Sequence, residues 1–287
     1  MRLHLGLAQM DPKLGDVQRN LEKHLAYIEQ AAAQGVELLI FPELSMTGYQ
    51  VNDLVPEVSI RASADDPVYA AMLDASRRTG MDIMFGFVHQ DQRQRFYIAD
   101  AYLSGGETLH IHHKVYLCTY GMFDEARYFD AGDQVRAFDT RFGRVGMAIC
   151  EDFWHISTPY LLWMDGADIL LLNSASPSRG LDASDKFSGS RWVELVNMAY
   201  ASFFTGFVVH CNRVGYEDGK NFWGGSSVVD PNGEMLLGGD YFDESLHTIT
   251  IDLNELHRTR SRLPLLRDER PELVQRELER ILARNNR

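Results

Sequence analysis

The sequence is poor in cysteine, and the spacing of its cysteines argues against two common classes of protein. Its 287 residues include three, Cys118, Cys150 and Cys211. Because no Cys-x-x-Cys pair occurs, neither a zinc ribbon nor a disulfide framework is expected. A reducing, cytoplasmic compartment fits this sparse and odd set best.

Excess positive charge and long apolar runs are also absent. The net charge is −13, which argues against nucleic acid or an anionic membrane as a partner. No apolar run approaches the roughly 20 residues that cross a bilayer, and no signal peptide is evident at the N-terminus. The ten histidines show no metal-ligand spacing, so we expect no metal and no cofactor. A metal pair of His110 and His112 on one strand face is the alternative.

Apolar patterning predicts a chain in which strands and helices alternate. Hydrophobic residues make up 45% of the sequence and charged residues 24%, as in ordinary globular proteins. Residues 3–10 and 36–41 are predicted strands, and a helix over 17–34 between them, with Asp16 as N-cap, indicates a crossover unit. The other predicted helices span 67–79, 157–165, 187–203 and about 272–284; the other strands span 81–89, 95–103, 108–113, 145–149, 167–172, 205–211, 223–229, 234–237 and 246–251.

The arrangement of these elements favours the α/β class. No linker rich in Gly, Ser or Pro separates the two halves of the chain. We therefore expect a single domain over 1–287, with two sheets packed face to face and helices outside them.

Cys150 stands where an apolar run ends. Residues 145–149 are predicted to form a buried strand, and two carboxylates and a predicted helix start follow the cysteine. A sharp strand-to-helix turn of this kind presents the nucleophile in many hydrolases. The alternative is a core thiol that packs as a small hydrophobic side chain.

Two further polar residues follow predicted strands. Glu43 comes directly after a buried strand and a proline, and Lys114 opens an irregular stretch that runs to residue 134. Each could also be an ordinary solvated side chain. Together with Cys150 they have a chemical logic, because a thiol needs a base and a developing oxyanion needs a cation. Trp154 follows the cysteine closely and could form a wall of such a site.

Three motifs in this order resemble the nitrilase superfamily of carbon–nitrogen hydrolases. They are Phe41-Pro42-Glu43, His113-Lys114-Val115-Tyr116-Leu117 and Cys150-Glu151-Asp152-Phe153-Trp154; further matches lie at 172–177, 212–215, 224–227 and 266–271. The resemblance covers nearly the whole chain. It implies a four-layer αββα sandwich, a Glu43–Lys114–Cys150 triad and a homo-oligomer, dimeric or larger.

The resemblance also assigns a second glutamate and a set of substrate-binding residues. Glu125 matches the family's glutamate in the loop after the lysine, where it would orient that lysine or assist proton transfer; a loop carboxylate paired with Arg127 is the alternative. Residues 114–129 and 149–154 are similar to the glutaminase domain of glutamine-dependent NAD synthetases. By that likeness Tyr120 and Glu151 would hold the substrate, and Phe123 would line the pocket. Ser176, in the motif at 172–177, is also expected there.

Two features depart from those synthetases. No Ser-Gly-Gly-x-Asp signature of a pyrophosphatase domain occurs, and Cys118 stands where the family commonly has proline. We therefore expect a thiol amidohydrolase that cleaves a small carboxamide through a cysteine thioester and releases an acid and ammonia or an amine. Alternatives are a stand-alone glutaminase subunit with a synthetase partner, an N-carbamoyl or nitrile hydrolase, acyl transfer to an amine, and a non-catalytic binding protein on the same fold.

Overall fold

A computed structural model describes residues 1–178 and 188–285. The strands are β1 (Arg2–Gln9), β2 (Leu38–Ile40), β3 (Asp82–Gln90), β4 (Phe96–Ser104), β5 (Glu107–His113), β6 (Phe138–Thr140), β7 (Gly143–Ile149), β8 (Ile169–Ser174), β9 (Phe207–Asn212), β10 (Val214–Glu217), β11 (Lys220–Trp223), β12 (Ser227–Val229), β13 (Met235–Gly238) and β14 (Ser245–Asp252). The helices are α1 (Val17–Ala33), α2 (Val55–Val58), α3 (Pro67–Thr79), α4 (Ser157–Met164), α5 (Ser188–Phe204), α6 (Asn254–Arg262), α7 (Leu265–Asp268) and α8 (Pro271–Asn285).

Most strands belong to two six-stranded sheets. The first has the order β14-β1-β2-β3-β4-β5 and the second the order β13-β12-β9-β8-β7-β6. In the first, β1 and β2 are parallel, with Leu5 beside Leu38, and α1 connects them as the predicted crossover. In the second, β7, β8 and β9 are parallel. These parallel strands bring their carboxyl ends to one edge of each sheet.

The two sheets pack face to face through apolar side chains. Successive residues of a strand point to opposite faces, so β1 directs Leu3, Leu5 and Leu7 into the interior shared with the second sheet, where Val145 and Met147 of β7 pack in the same cluster. The outer face of the first sheet is covered by α1 and α3. The outer face of the second is covered by α4 and α5. Four layers result, which confirms the predicted αββα sandwich.

Local sequence signals explain the helix boundaries that position these layers. Asp66 caps α3, its carboxylate accepting from the N–H groups of Val68 at 3.0 Å and Tyr69 at 3.2 Å. Pro67 occupies the first turn, and Gly80 ends the helix in the left-handed conformation with φ 68°. Such a glycine avoids the penalty that a Cβ atom would pay there. The observed helix matches the predicted 67–79.

Several elements differ from prediction. The strand expected over 223–229 is shortened to β12, because Trp223 pairs with Val214 in the β10–β11 hairpin and Gly224 and Gly225 then turn the chain with φ 76° and 63°. That hairpin was not predicted, nor were β6, α2, α6 and α7. The predicted helix over 187–203 corresponds to α5, while residue 187 lies outside the described residues. Among the residues described, no helix is long and apolar enough to cross a membrane.

Candidate active site

Three polar residues from both sheets meet at one edge of the sandwich. Glu43 follows β2, Lys114 follows β5, and Cys150 follows β7. Glu43 and Lys114 have no solvent-exposed surface, and Cys150 is 7% exposed. The alternatives of a solvated glutamate and a solvated lysine are therefore wrong.

Lys114 lies between two carboxylates. Its Nζ donates to Glu43 Oε1 and to Glu125 Oε1, both at 2.7 Å. Glu125 is buried, and its second oxygen accepts from the Cys118 N–H at 2.8 Å. The alternative pairing of Glu125 with Arg127 is wrong, because the guanidinium lies beside Asp124 instead. Buried charges require this kind of pairing, so the three side chains form one unit.

Close backbone contacts fix the position of Glu43. Its Oε2 accepts from the Ala175 N–H at 2.7 Å, which joins it to the end of β8. The chain around it passes directly over Gly86 of β3, where a Cβ atom would lie 2.5 Å from the Leu44 nitrogen and 2.7 Å from the Pro42 oxygen. Only glycine permits this approach. The close packing against β3 therefore fixes the position of the Glu43 backbone relative to the first sheet.

Cys150 occupies a strained turn at the end of β7. Its φ is 47°, a left-handed conformation that is uncommon for a residue with a side chain. The next residues form a single 3-10 turn over Cys150–Phe153. Strain of about 1–3 kcal/mol at such a residue persists only where the surrounding structure enforces it. A sharp turn at the end of a strand is where the sequence led us to expect a nucleophile.

Burial and neighbouring charges shift the pKa values of Glu43, Cys150 and Lys114. Burial raises the pKa of Glu43, and the nearby Lys114 ammonium only partly offsets this. Burial and the Glu43 charge also raise the pKa of Cys150, while Lys114 lowers it. For Lys114, burial disfavours the charged form, but the Glu125 and Glu43 carboxylates outweigh it and raise its pKa well above the usual value. These directions favour a charged lysine and a neutral thiol in the resting site.

A cavity of about 130 Å³ opens above Cys150. Its lining includes every residue that the sequence analysis expected to contact substrate, namely Tyr120, Phe123, Glu151, Trp154 and Ser176. Cys118, Pro177, Gly189, Val193 and Trp223 also line it and were not expected there. Cys150 is buried and packs in an apolar cluster, but unlike an enclosed core thiol it also lines this cavity.

Among the described residues that line the cavity, Glu151 is the charged one. Its Oε2 accepts from the Tyr120 hydroxyl at 2.9 Å and from the Cys118 thiol at 3.0 Å. His155 lies 3.5 Å from its other oxygen. The carboxylate is thus held by its neighbours and keeps one side toward the cavity.

Tyr49 is a polar group of the site that the sequence did not reveal. It is buried, and its hydroxyl donates a short hydrogen bond to Glu125 Oε1. Its backbone N–H donates to Glu217 Oε1 at 2.9 Å. Nothing in the local pattern marks this tyrosine except its place in the loop that follows Glu43. The contact joins that loop to the lysine network.

Two histidines that share a strand do not form a metal pair. His112 contacts Asp152 Oδ2 at 2.8 Å, whereas His110 stacks on Phe138 with ring centroids 4.5 Å apart. Over residues 1–178 and 188–285, no three His, Cys, Asp or Glu side chains are grouped closely enough to bind a metal ion.

Comparisons with known proteins identify the family of the chain. Residues 4–261 match the model of the carbon-nitrogen hydrolase family. A glutamine-dependent NAD(+) synthetase from Thermotoga maritima is 34% identical over 259 residues, which are 88% of this chain and 43% of that protein. A chloroplastic omega-amidase from Arabidopsis thaliana is 28% identical over 285 residues, covering 96% of this chain and 74% of its own length.

The fold has a counterpart among solved structures. A carbon-nitrogen hydrolase from Helicobacter pylori superimposes with a TM-score of 0.85 at 21% identity, over 97% of this chain and 99% of that one; this likeness shows the fold alone. The chain spans less than half the length of the T. maritima synthetase. The family match extends from β1 to α6 and includes Glu43, Lys114 and Cys150. The chain therefore belongs to the carbon-nitrogen hydrolase family of enzymes.

Proposed function

We propose that the chain is a thiol amidohydrolase, which cleaves the C–N bond of a small carboxamide and releases an acid and ammonia or an amine. The observation that carries the proposal is Cys150 in a left-handed turn at the floor of a cavity, beside a lysine shared by two buried carboxylates. A nucleophile, a base and a cation are the parts that acyl transfer needs.

In the first half of the proposed reaction, Cys150 Sγ bonds to the carboxamide carbon while its proton passes to Glu43. The carbonyl oxygen becomes an oxyanion, which Lys114 Nζ and a backbone N–H near Glu151 stabilise. The C–N bond then breaks, and Glu43 returns the proton to the departing nitrogen. The product of this half is a thioester on Cys150.

In the second half, water attacks the thioester carbon. Glu43 takes a proton from the water, the C–S bond breaks, and the sulfur is protonated again as the acid leaves. The same carboxylate serves both halves, because its raised pKa brings it closer to neutral pH, where proton exchange is most efficient. The neutral resting thiol requires that proton transfer accompany the attack. Glu125 orients Lys114 through their 2.7 Å contact.

The cavity favours a small amide with a polar tail. Its volume of about 130 Å³ is below the roughly 300–1,000 Å³ of sites for drug-sized ligands. Glu151 and Tyr120 supply polar groups to the lining, and Phe123, Trp154 and Ser176 complete the proposed contacts. A carboxylate in this position accepts hydrogen bonds from an N–H or ammonium group of the substrate.

A stand-alone glutaminase subunit is the second candidate. The 34% identity to a glutamine-dependent NAD(+) synthetase favours it, as does the Glu151–Tyr120 pair in the lining. In this form the ammonia would pass to a separate synthetase partner. Ammonia release from glutamine that rises when a synthetase is added would support this candidate over a general amidase.

A screen of ammonia release tests the proposal. Wild-type protein, Cys150→Ala and Cys211→Ala are compared on simple amides, ω-amides, N-carbamoyl compounds and nitriles, with added amine acceptors to detect acyl transfer. Cys211 is the matched control, since it is a buried free cysteine in β9 outside the cavity lining. We expect turnover of an amide that only Cys150→Ala abolishes. Activity retained by Cys150→Ala would contradict the thiol mechanism, whereas wild-type protein that turns over none of these substrates would favour the non-catalytic binding protein.

We also propose that the enzyme is a homo-oligomer. Apolar side chains stand exposed on α4 and α5, namely Leu161, Trp192, Leu195, Met198 and Phe203. Exposed apolar patches of this kind mark interaction surfaces. Sedimentation velocity of the wild-type protein and of Trp192→Glu tests this, and a monomeric wild-type protein would contradict it.

A further inference from the structure

We propose that Asp152 is a positioning residue that holds Cys150 and Lys114 at their working separation. This inference rests on the proposed function and concerns a residue outside the proposed catalytic and substrate-binding groups. Asp152 lies two residues after the nucleophile and is fully buried. It is not part of the cavity lining, so it would act through the two segments that it joins.

Four donors from these segments converge on the Asp152 carboxylate. Oδ1 accepts from the N–H groups of Val115 and Tyr116, both at 2.9 Å. Oδ2 accepts from the Ile149 N–H at 3.1 Å and contacts His112 Nε2 at 2.8 Å. One carboxylate thus reaches the residue before Cys150 and residues on both sides of Lys114.

The positions of these donors explain why a carboxylate is needed. The β5 ladder ends at His113, and the Lys114 N–H makes one further bond to Ile98 O at 2.9 Å. The next two N–H groups belong to the irregular stretch, and Asp152 accepts from both of them. A carboxylate offers about four lone-pair sites, and this matches the number of donors.

The geometry also links Asp152 to the strained turn. By accepting from the Ile149 N–H, its side chain closes the turn in which Cys150 adopts φ 47°. The same side chain fixes the backbone that carries Lys114. Misplacement of reacting groups by about 1 Å can cost roughly 100-fold in rate. Asp152 therefore supplies the rigidity that links the nucleophile of the second sheet to the cation of the first.

The substitution Asp152→Asn tests this role, because it preserves shape while leaving a single acceptor oxygen for the four donors. With the amide identified in the screen, we expect kcat to fall about 100-fold and KM to change little. The matched control is Asp82→Asn. Asp82 is also a buried carboxylate and accepts from Tyr102 and Ser104 hydroxyls at 2.8 and 2.7 Å, but it begins β3 at the opposite end from Glu43.

Alkylation of Cys150 by iodoacetamide gives a second readout, and it does not depend on finding a substrate. Lys114 lowers the pKa of Cys150, so displacement of the lysine reduces the thiolate fraction. We expect Asp152→Asn to shift the pH profile of alkylation upward and slow the reaction at neutral pH. Faster alkylation of Asp152→Asn would overturn the proposal, because it is the result expected if the substitution only loosened the fold and exposed the thiol.

A second pair of variants covers the case in which Asp152→Asn does not fold. His112→Phe removes one of the four contacts, whereas His112→Gln keeps an N–H donor at that place. We expect slower alkylation of Cys150 in His112→Phe than in His112→Gln. Equal rates in the two variants would overturn the proposal. Failure of the amidase proposal would appear separately, as wild-type protein that alkylates normally but hydrolyses no amide.

Discussion

The floor and the mouth of the cavity are built in opposite ways. The floor is defined as Cys150, which lines the cavity, together with Glu43, Lys114 and Glu125, which do not line it themselves but are buried and joined by two 2.7 Å ion pairs. The mouth, defined as Tyr120 and Trp154, is 52% and 41% exposed. Charged groups without water have few stable arrangements, whereas exposed aromatic side chains can change at little cost. The difference suggests that the floor carries the chemistry and the mouth adjusts the choice of amide.

Loss of the central cation should have the largest effect. Lys114→Met leaves the Glu43 and Glu125 carboxylates buried close to each other without the cation that they share. We expect no measurable hydrolysis and a free energy of unfolding lower by about 3–5 kcal/mol at neutral pH. Urea unfolding of the variant measures this.

The pH dependence of that loss sharpens the comparison. Without Lys114 both carboxylates hold their protons more tightly in the folded state, so the stability of the variant should recover as the pH falls. Lys13→Met, at an exposed position, is the control and should change stability by no more than about 0.5 kcal/mol. Equal stability of Lys114→Met at pH 8 and pH 6 would show that the floor tolerates unpaired charge.

Removing the base alone should cost activity more than stability. We expect Glu43→Gln to lower kcat by about 10²–10⁴-fold, because its amide cannot take the thiol proton, while KM changes little. Steady-state kinetics measure this, with Asp82→Asn as the control for a neutralised buried carboxylate. A large rise in KM at constant kcat would argue that Glu43 binds substrate instead.

The wild-type pH profile offers a separate check on Glu43. Burial raises the pKa of its carboxyl above the ordinary 4.5, and only the ionised form accepts a proton. The rate kcat/KM should therefore fall with decreasing pH along a limb whose midpoint lies above 4.5. In Glu43→Gln the residual rate should lack this limb. A limb that survives unchanged in the variant would have to be assigned to another group.

Substitution of Glu151, in the cavity lining between floor and mouth, should alter the binding of substrate. Glu151→Gln removes a charge from the cavity lining but keeps the shape. Hydrogen bonds to charged groups are worth about 1.5–3 kcal/mol, so KM for an amide with an ammonium tail should rise by about 10- to 100-fold. For a tail-less amide KM should change little, and this comparison is the control. Equal effects on both substrates would exclude Glu151 as the group that reads the tail.

The sequence was more informative about where the strands end than about what surrounds their ends. Glu43, Lys114 and Cys150 could be singled out because each follows a recognisable apolar run, and family resemblance then related them to one another. The partners of these residues were not predictable. Ala175 N–H reaches Glu43 across 132 positions, and Tyr49 reaches Glu125 across 76.

Such contacts depend on how loops cross the sheet edge, and residue patterns do not encode this. The same limit explains the missed β10–β11 hairpin. Its four-residue strands carry polar residues such as Asn221 and Lys220 and show no clear alternation. The contacts of Asp152 were also not predictable. In the sequence it resembles an ordinary loop residue, and only the folded structure brings the donors of both segments to its carboxylate. Tertiary structure, rather than local preference, creates these parts of the site.

The smallest effect is expected at the mouth. Trp154→Ala removes a half-exposed ring that packs on Phe153 with centroids 5.9 Å apart. Stability should change by about 0.5 kcal/mol or less, whereas Trp163→Ala, at a tryptophan only 3% exposed, should cost about 3–5 kcal/mol. Because the ring forms one wall of the cavity, we expect KM for bulkier amides to fall relative to small ones, with kcat unaltered. Steady-state kinetics over an acyl series of increasing size measure this. A loss of kcat across the whole series would mean that the mouth takes part in the chemistry and that the division of roles between floor and mouth is wrong.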